Sequence, residues 1–176
     1  MHDAGSAFLA TSRRYLTADY LPRIRLAIGE LPPADLWWRP NPASNSAGNL
    51  LLHLAGNVRQ WLVAGVGGRD DVRDREGEFA AEGGMGPAEA LGVLEAAVAD
   101  ADDVLAALRA SRLGERRMIQ GYDVTLQDAI YHVVEHFGMH TGQVIYIAKL
   151  RAGRDLGFYA TEGNLASPRW QDLERR

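Results

Sequence analysis

The sequence predicts an all-α fold, a helical bundle of the antiparallel type. Three observations point there. Four stretches carry apolar residues at helical spacing, strand-type alternation is nearly absent, and 176 residues suit one domain. With 47% hydrophobic and 24% charged residues, the chain has the composition of a globular protein. It is also long enough to bury a core without crosslinks. One domain over residues 1–176 is expected.

The first stretch, about residues 6–29, sets Phe8, Leu9, Leu16, Leu21, Ile24 and Ile28 on a ragged apolar face, with Pro22 as a candidate kink. Prolines 32, 33, 40 and 42 then interrupt the chain. Ser44-Asn45-Ser46 offers caps for a second helix, roughly 47–66, which stops near Gly65, Gly67 and Gly68. Arg69 to Gly86 is polar and mixed in charge, and connections of this length are usually functional or mobile. Pro87 opens the third and most regular helix. Leu91, Leu94, Val98, Ala101, Leu105 and Leu108 form its seam, and Glu95, Asp100, Asp102 and Asp103 a solvated face. Arg117 to Tyr122 is the one short strand candidate. Thr125 is the expected cap of a fourth helix, about Leu126 to Leu150, and the tail from Gly153 carries no clear pattern.

Composition excludes several function classes. A net charge of −4 argues against a nucleic-acid-binding protein, which usually shows a basic face. No apolar run approaches the roughly 18 residues of a membrane span. The first residues lack a charged start followed by an apolar core, so a cytoplasmic location is expected. The chain has no cysteine. Disulfides, thiolate metal sites and cysteine nucleophiles are thereby excluded. A transition metal would have to sit on imidazole and carboxylate, and any thiol chemistry would have to use a thiol carried in by a substrate.

Of the five histidines, His2 belongs to the terminus. His132, His136 and His140 fall within an arc of about 80° on the fourth helix, with Gln143 on the same arc. Asn49, His53, Asn57 and Gln60 repeat the spacing 4, 4, 3 on the second helix. Both helices are otherwise strongly apolar, and buried polar groups need partners. Histidines at i and i+4 can aim both rings at one ion. From spacing alone, a metal site and a hydrogen-bonded histidine stripe both remain open.

The segment Ser44-Asn45-Ser46-Ala47-Gly48-Asn49-Leu50-Leu51-Leu52-His53-Leu54, taken with His136-Phe137-Gly138-Met139-His140-Thr141-Gly142-Gln143, resembles the DinB-like superfamily. These are small metal-binding four-helix bundles that include metal-dependent hydrolases and bacillithiol- and mycothiol-dependent transferases. The H-x-x-x-H-x-G-Q ending is the more specific part. Leu36-Trp37-Trp38-Arg39-Pro40, and Gly67-Gly68 through Glu78-Phe79, are similar to a branch of the same superfamily. The resemblance implies an up-down-down-up bundle, often a homodimer, in which the Gly67–Gly86 connection is the crossover. It implies a divalent metal ion held by His53, His136 and His140. His132 stands outside that triplet, as a general base, a core residue or a partner of a ligand. Imidazole ligands suit zinc, nickel or iron.

Three neutral histidines leave positions open on a metal, the arrangement of catalytic sites. Such a site activates water or a low-molecular-weight thiol, so a hydrolase and a thiol S-transferase acting on a small-molecule substrate both fit. A non-catalytic small-molecule-binding or structural bundle is the competing class. Gln143, Asn57 and Asn49 lie on arcs that could support the ligating rings. The run Arg69, Arg73, Arg75 and Glu78 could close over the site and bind an anionic substrate, but is expected to be solvated. Trp37, Trp38 and Trp61 could line a pocket mouth, but are expected to be core; Glu135 is expected at the surface or in an ion pair. No acidic residue is placed beside the histidines by sequence.

Overall fold

The computed structural model describes residues 3–162 and 165–170, so His2 lies outside the described residues. Asp3 caps α1 (Ala4–Arg14), its carboxylate accepting from the N–H groups of Gly5 and Ser6. The helix widens into a π-helical stretch, Tyr15–Tyr20, and continues as α2 (Leu21–Glu30). Pro22 accounts for the widening. It has no N–H to give the carbonyl four residues back, and its ring would crowd that turn. The expected kink is a π turn.

Ser46 caps α3 (Ala47–Val58) in a reciprocal box with Asn49, and the helix runs on as π-helical Arg59–Val66 before Gly67 and Gly68. The polar connection is not wholly irregular. It contains α4 (Arg75–Ala80), capped by Asp74. Next come α5 (Pro87–Ala107) and a hairpin of β1 (Arg116–Ile119) and β2 (Tyr122–Thr125), with Ile119 opposite Tyr122. Gln120 and Gly121 take φ of 53° and 84° at its tip, the two left-handed positions of a primed hairpin turn. The single strand expected at 117–122 is thus corrected: that segment covers most of β1, the two turn residues and the first residue of β2. Thr125 and Asp128 form the capping box of α6 (Leu126–Ala152). Past it, β3 (Tyr159–Glu162) and β4 (Leu165–Pro168) pair antiparallel in the tail that showed no pattern.

The described residues are therefore mostly helical, with two short hairpins added to the expected helices. α3 packs against α5 and α6, and α2 packs against α6. Leu51, Leu54 and Val58 of α3, Leu94, Val98 and Ala101 of α5, and Ile130, Val133, Phe137 and Val144 of α6 are all buried. Leu108 lies just beyond α5 and is still buried, whereas Leu91 is only half-buried. Among the described residues, no helix is long and apolar enough to cross a membrane.

Asn49 ties α3 to α4. Its Oδ1 accepts from the Ser46 N–H at 3.1 Å and the Ser46 hydroxyl at 2.6 Å. Its Nδ2 donates to the carbonyls of Glu78 at 2.9 Å and Ala81 at 2.8 Å. Arg39 donates to the Phe79 and Ala81 carbonyls from the other side. Asn49→Ala strips these carbonyls of a donor in a site where Asn49 itself is 0% exposed. We expect it to lower the unfolding free energy by about 2–3 kcal/mol in urea titrations; a loss under 0.5 kcal/mol would contradict this role.

Candidate metal centre

α3 and α6 meet where each carries its polar stripe. Ligand nitrogens of His53, His136 and His140 all lie within 4.8 Å of one another. The Nε2 atoms of His53 and His136 are 3.0 Å apart. Two imidazoles bound to one ion at ordinary metal–nitrogen distances hold their nitrogens about 3.0–3.4 Å apart. His53 and His140 are buried and His136 is half-buried.

Each ring's other nitrogen decides what the site can hold. His53 Nδ1 is 2.9 Å from Glu78 Oε2, and a carboxylate can only accept, so Nδ1 carries the proton and Nε2 its lone pair. His140 Nδ1 donates in the same way to Gln143 Oε1 at 2.6 Å, leaving its Nε2 bare. Burial first, and then the neighbouring histidines, push His136 down to about 3. Burial likewise lowers His140 and His132, the Gln143 bond opposing it in the former. Burial thus favours the neutral form of His136 and His140 at pH 7. Converging ring nitrogens, with Nδ1 of His53 and His140 committed to other partners, are a donor set that a divalent cation can use, so the residues present fit the group.

His132 is not part of this set. Its ring stacks on His136, 5.4 Å between centroids, and lies tilted against Trp61 at 4.2 Å. Asn57 Nδ2 lies 3.4 Å from its Nε2. Asn57 therefore supports His132 and not a ligand, and Asn49 supports α4. Of the three amides expected near the rings, Gln143 alone contacts one of the triplet, at His140.

The charge run requires a correction. Arg69 pairs with Asp100 at the surface, and Arg75 lies exposed over the Phe79 ring. Arg73 and Glu78, however, are buried, with side chains 3% and 8% exposed. Arg73 Nε and Nη2 donate to the two Glu78 oxygens at 2.7 and 2.8 Å. Burial would raise the Glu78 pKa, but the bonds from Arg73 and His53 outweigh it and hold the carboxyl below its usual range. A carboxylate thus does stand beside the histidines. Sequence reasoning missed it because its neighbours Arg75, Glu76 and Asp74 are exposed and mask the one residue that turns inward.

Trp61 is buried, as expected, and donates from Nε1 to Gln120 Oε1 at the hairpin tip. Trp37 packs over Gly48 and donates to the Met85 carbonyl. Trp38 lines a cavity of about 630 Å³ with Leu50, Met139, Gln143 and Tyr146. Glu135 is exposed.

Fold and site together define a mostly helical protein with three histidines close enough to hold a metal ion. The chain belongs to the mycothiol-S-transferase family, whose sequence model matches residues 13–152. No curated protein matches it.

The lowered pKa of His136 makes the metal-free protein acid-sensitive. In the unfolded chain this ring binds a proton below about 6.5, whereas the native site excludes it until about 3. Glu78 acts in the same direction, since its native pKa lies below its unfolded one. The Tm of chelator-treated protein is expected to fall steadily from pH 7 to pH 4. A Tm that is flat or rising over that range would contradict the buried, proton-resisting His136 and the held carboxylate of Glu78.

Proposed function

We propose that this chain is a metal-dependent thiol S-transferase that joins a low-molecular-weight thiol, of which mycothiol is the leading candidate, to an electrophilic small molecule. The observation that carries the reading is the convergence of His53, His136 and His140 in a chain of this family. A divalent ion there, whether zinc, nickel or iron, supplies a Lewis acid that lowers the pKa of a thiol sulfur. His53, His136 and His140 hold it through nitrogen, and Gln143 keeps the His140 ring from turning.

His132 is the candidate proton acceptor. Burial lowers its pKa, it stands one turn from His136, and among the described residues it receives only the long bond from Asn57. In the transfer the thiol S–H bond breaks and a sulfur–carbon bond forms. The electrophile's leaving group departs with the bonding pair, and the thiol proton passes to His132. Trp61 and Phe79 flank the rings with apolar surface and limit water at the reacting centre. Glu78 is clamped by Arg73, so it is not a free base for the water activation that a hydrolase would require. The same reading extends to the fold. The long helical stretches form an up-down-down-up four-helix bundle, and the segment between α3 and α5 is the crossover that two parallel neighbours need.

Two outcomes test the reading. Purified protein should contain close to one equivalent of a transition metal, lost in His53→Ala and in His136→Ala. Wild type should conjugate mycothiol to a chromogenic alkylating agent, and His132→Gln should keep the metal while losing about 100-fold or more in kcat. Ester or amide cleavage without conjugation, or full activity in the metal-free variants, would overturn it.

A further inference from the structure

We propose that Glu78 is a positioning residue for the metal centre. Its carboxylate, fixed by Arg73, holds His53 as the Nδ1–H tautomer and aims Nε2 at the ion. This role rests on the metal reading of the three histidines.

The acceptor is unambiguous. Both Glu78 Oε2 and Arg73 Nη2 lie near His53 Nδ1, at 2.9 and 3.1 Å. A guanidinium has no lone pair to offer, so of the two only the carboxylate can accept from the ring. A bare Nδ1 taking a bond from Arg73 would set two lone pairs face to face at the shorter distance, which favours Nδ1–H. The clamp on that carboxylate is itself closed. Arg73 Nη1 donates to Gln60 Oε1 at 2.9 Å, Gln60 Nε2 donates to Asp71 Oδ2 at 2.8 Å, and Asp71 Oδ1 accepts from the Arg73 backbone N–H at 3.1 Å. Gln60 lies on the helical stretch that continues α3, seven residues past His53. The ring and the group that orients it are therefore referenced to one helix.

Two further features fit the chain to this contact. A Cβ at position 56 would lie 1.8 Å from Glu78 Oε1 and 2.8 Å from its Cδ, so the carboxylate reaches His53 across a gap that only glycine leaves. Phe79 packs on the other side of the imidazole, 4.7 Å between centroids, and opposes its rotation. A buried ion pair alone adds little net stability compared with an apolar pair of similar size. Its alignment on Nδ1 is what a metal ligand requires, because partners of a ligating histidine set its tautomer and direction.

The test separates positioning from stability. Arg73→Met/Glu78→Leu removes the acceptor without stranding a charge, and Arg73→Met/Glu78→Gln removes both charges but keeps an acceptor oxygen. Zinc affinity is measured by competition with a chromogenic chelator, the ligand field by the visible spectrum of the cobalt(II) form, and the His53 tautomer by ¹⁵N NMR of the metal-free protein. The Leu variant should bind zinc about 10–100-fold more weakly, shift its cobalt bands and lose the Nδ1–H tautomer, while its Tm stays at or above that of wild type. The Gln variant should recover most of the affinity and the tautomer. Should either double variant fail to fold, Glu78→Asp keeps Arg73 paired but withdraws the oxygen, and is expected to shift the cobalt bands and weaken zinc binding about tenfold.

Zinc affinity and cobalt bands unchanged in the Leu variant, or unchanged in Glu78→Asp, would overturn the role of Glu78 alone. A Gln variant as weak as the Leu variant would overturn it too. Wild type that binds neither zinc nor cobalt would remove the metal reading, and this role with it.

Discussion

Three imidazole rings face one another where α3 meets α6, and the surrounding structure answers to that contact. The Nε2 atoms of His53 and His136, 3.0 Å apart, can share the N–H of one neutral ring or turn both lone pairs to a cation. Burial resists a further, charging proton on His136. A cation bound there only in the folded state would link metal affinity to folding stability. The rings also cannot turn away. His140 is tied to Gln143, His53 to Glu78, and His136 stacks on His132 and meets His53 and His140 edge-on.

The polar stripe of the second predicted helix organises these ties. Asn49, at its start, fastens α4 by two carbonyls. One turn on, His53 enters the triplet. Asn57 follows, and its amide meets His132. Gln60 then anchors Arg73 and, through it, the carboxylate that returns to His53. Each of these polar residues reaches a distinct partner, which limits the desolvation cost of a row of amides and imidazoles in a core, although Asn57 Oδ1 is left without one among the described residues. The connection between α3 and α5 is consequently part of the site and not only a link.

Much of this was legible from sequence where the signal is local. The i, i+4 histidines, the apolar sectors beside them, and caps such as Ser46, Thr125 and Pro87 depend on neighbours a few residues away. Glu78 was not legible, because its burial depends on where Asn49 and Arg39 hold the α4 backbone, 29 and more residues away in sequence. Gly56, one turn past His53 on an apolar helix, was the available hint that another group approaches there. The stripe also misled in part. Its arcs placed Asn49 and Asn57 beside the ligands, but helical geometry does not tell which element lies opposite each turn. The β1–β2 hairpin escaped because its turn is Gln120-Gly121, and a left-handed glutamine is an uncommon tip. The π turns before Pro22 and after Val58 similarly left no periodic signature.

The central claim is that three histidine nitrogens, and no other side chains, hold one divalent ion. X-ray absorption at the zinc edge of the reconstituted protein tests it directly. The account predicts three imidazole ligands at about 2.0–2.1 Å with the remaining coordination from solvent or added thiol, and loss of one imidazole in His140→Ala. A shell with fewer than two imidazoles, or one that is the same in wild type and His140→Ala, would contradict it.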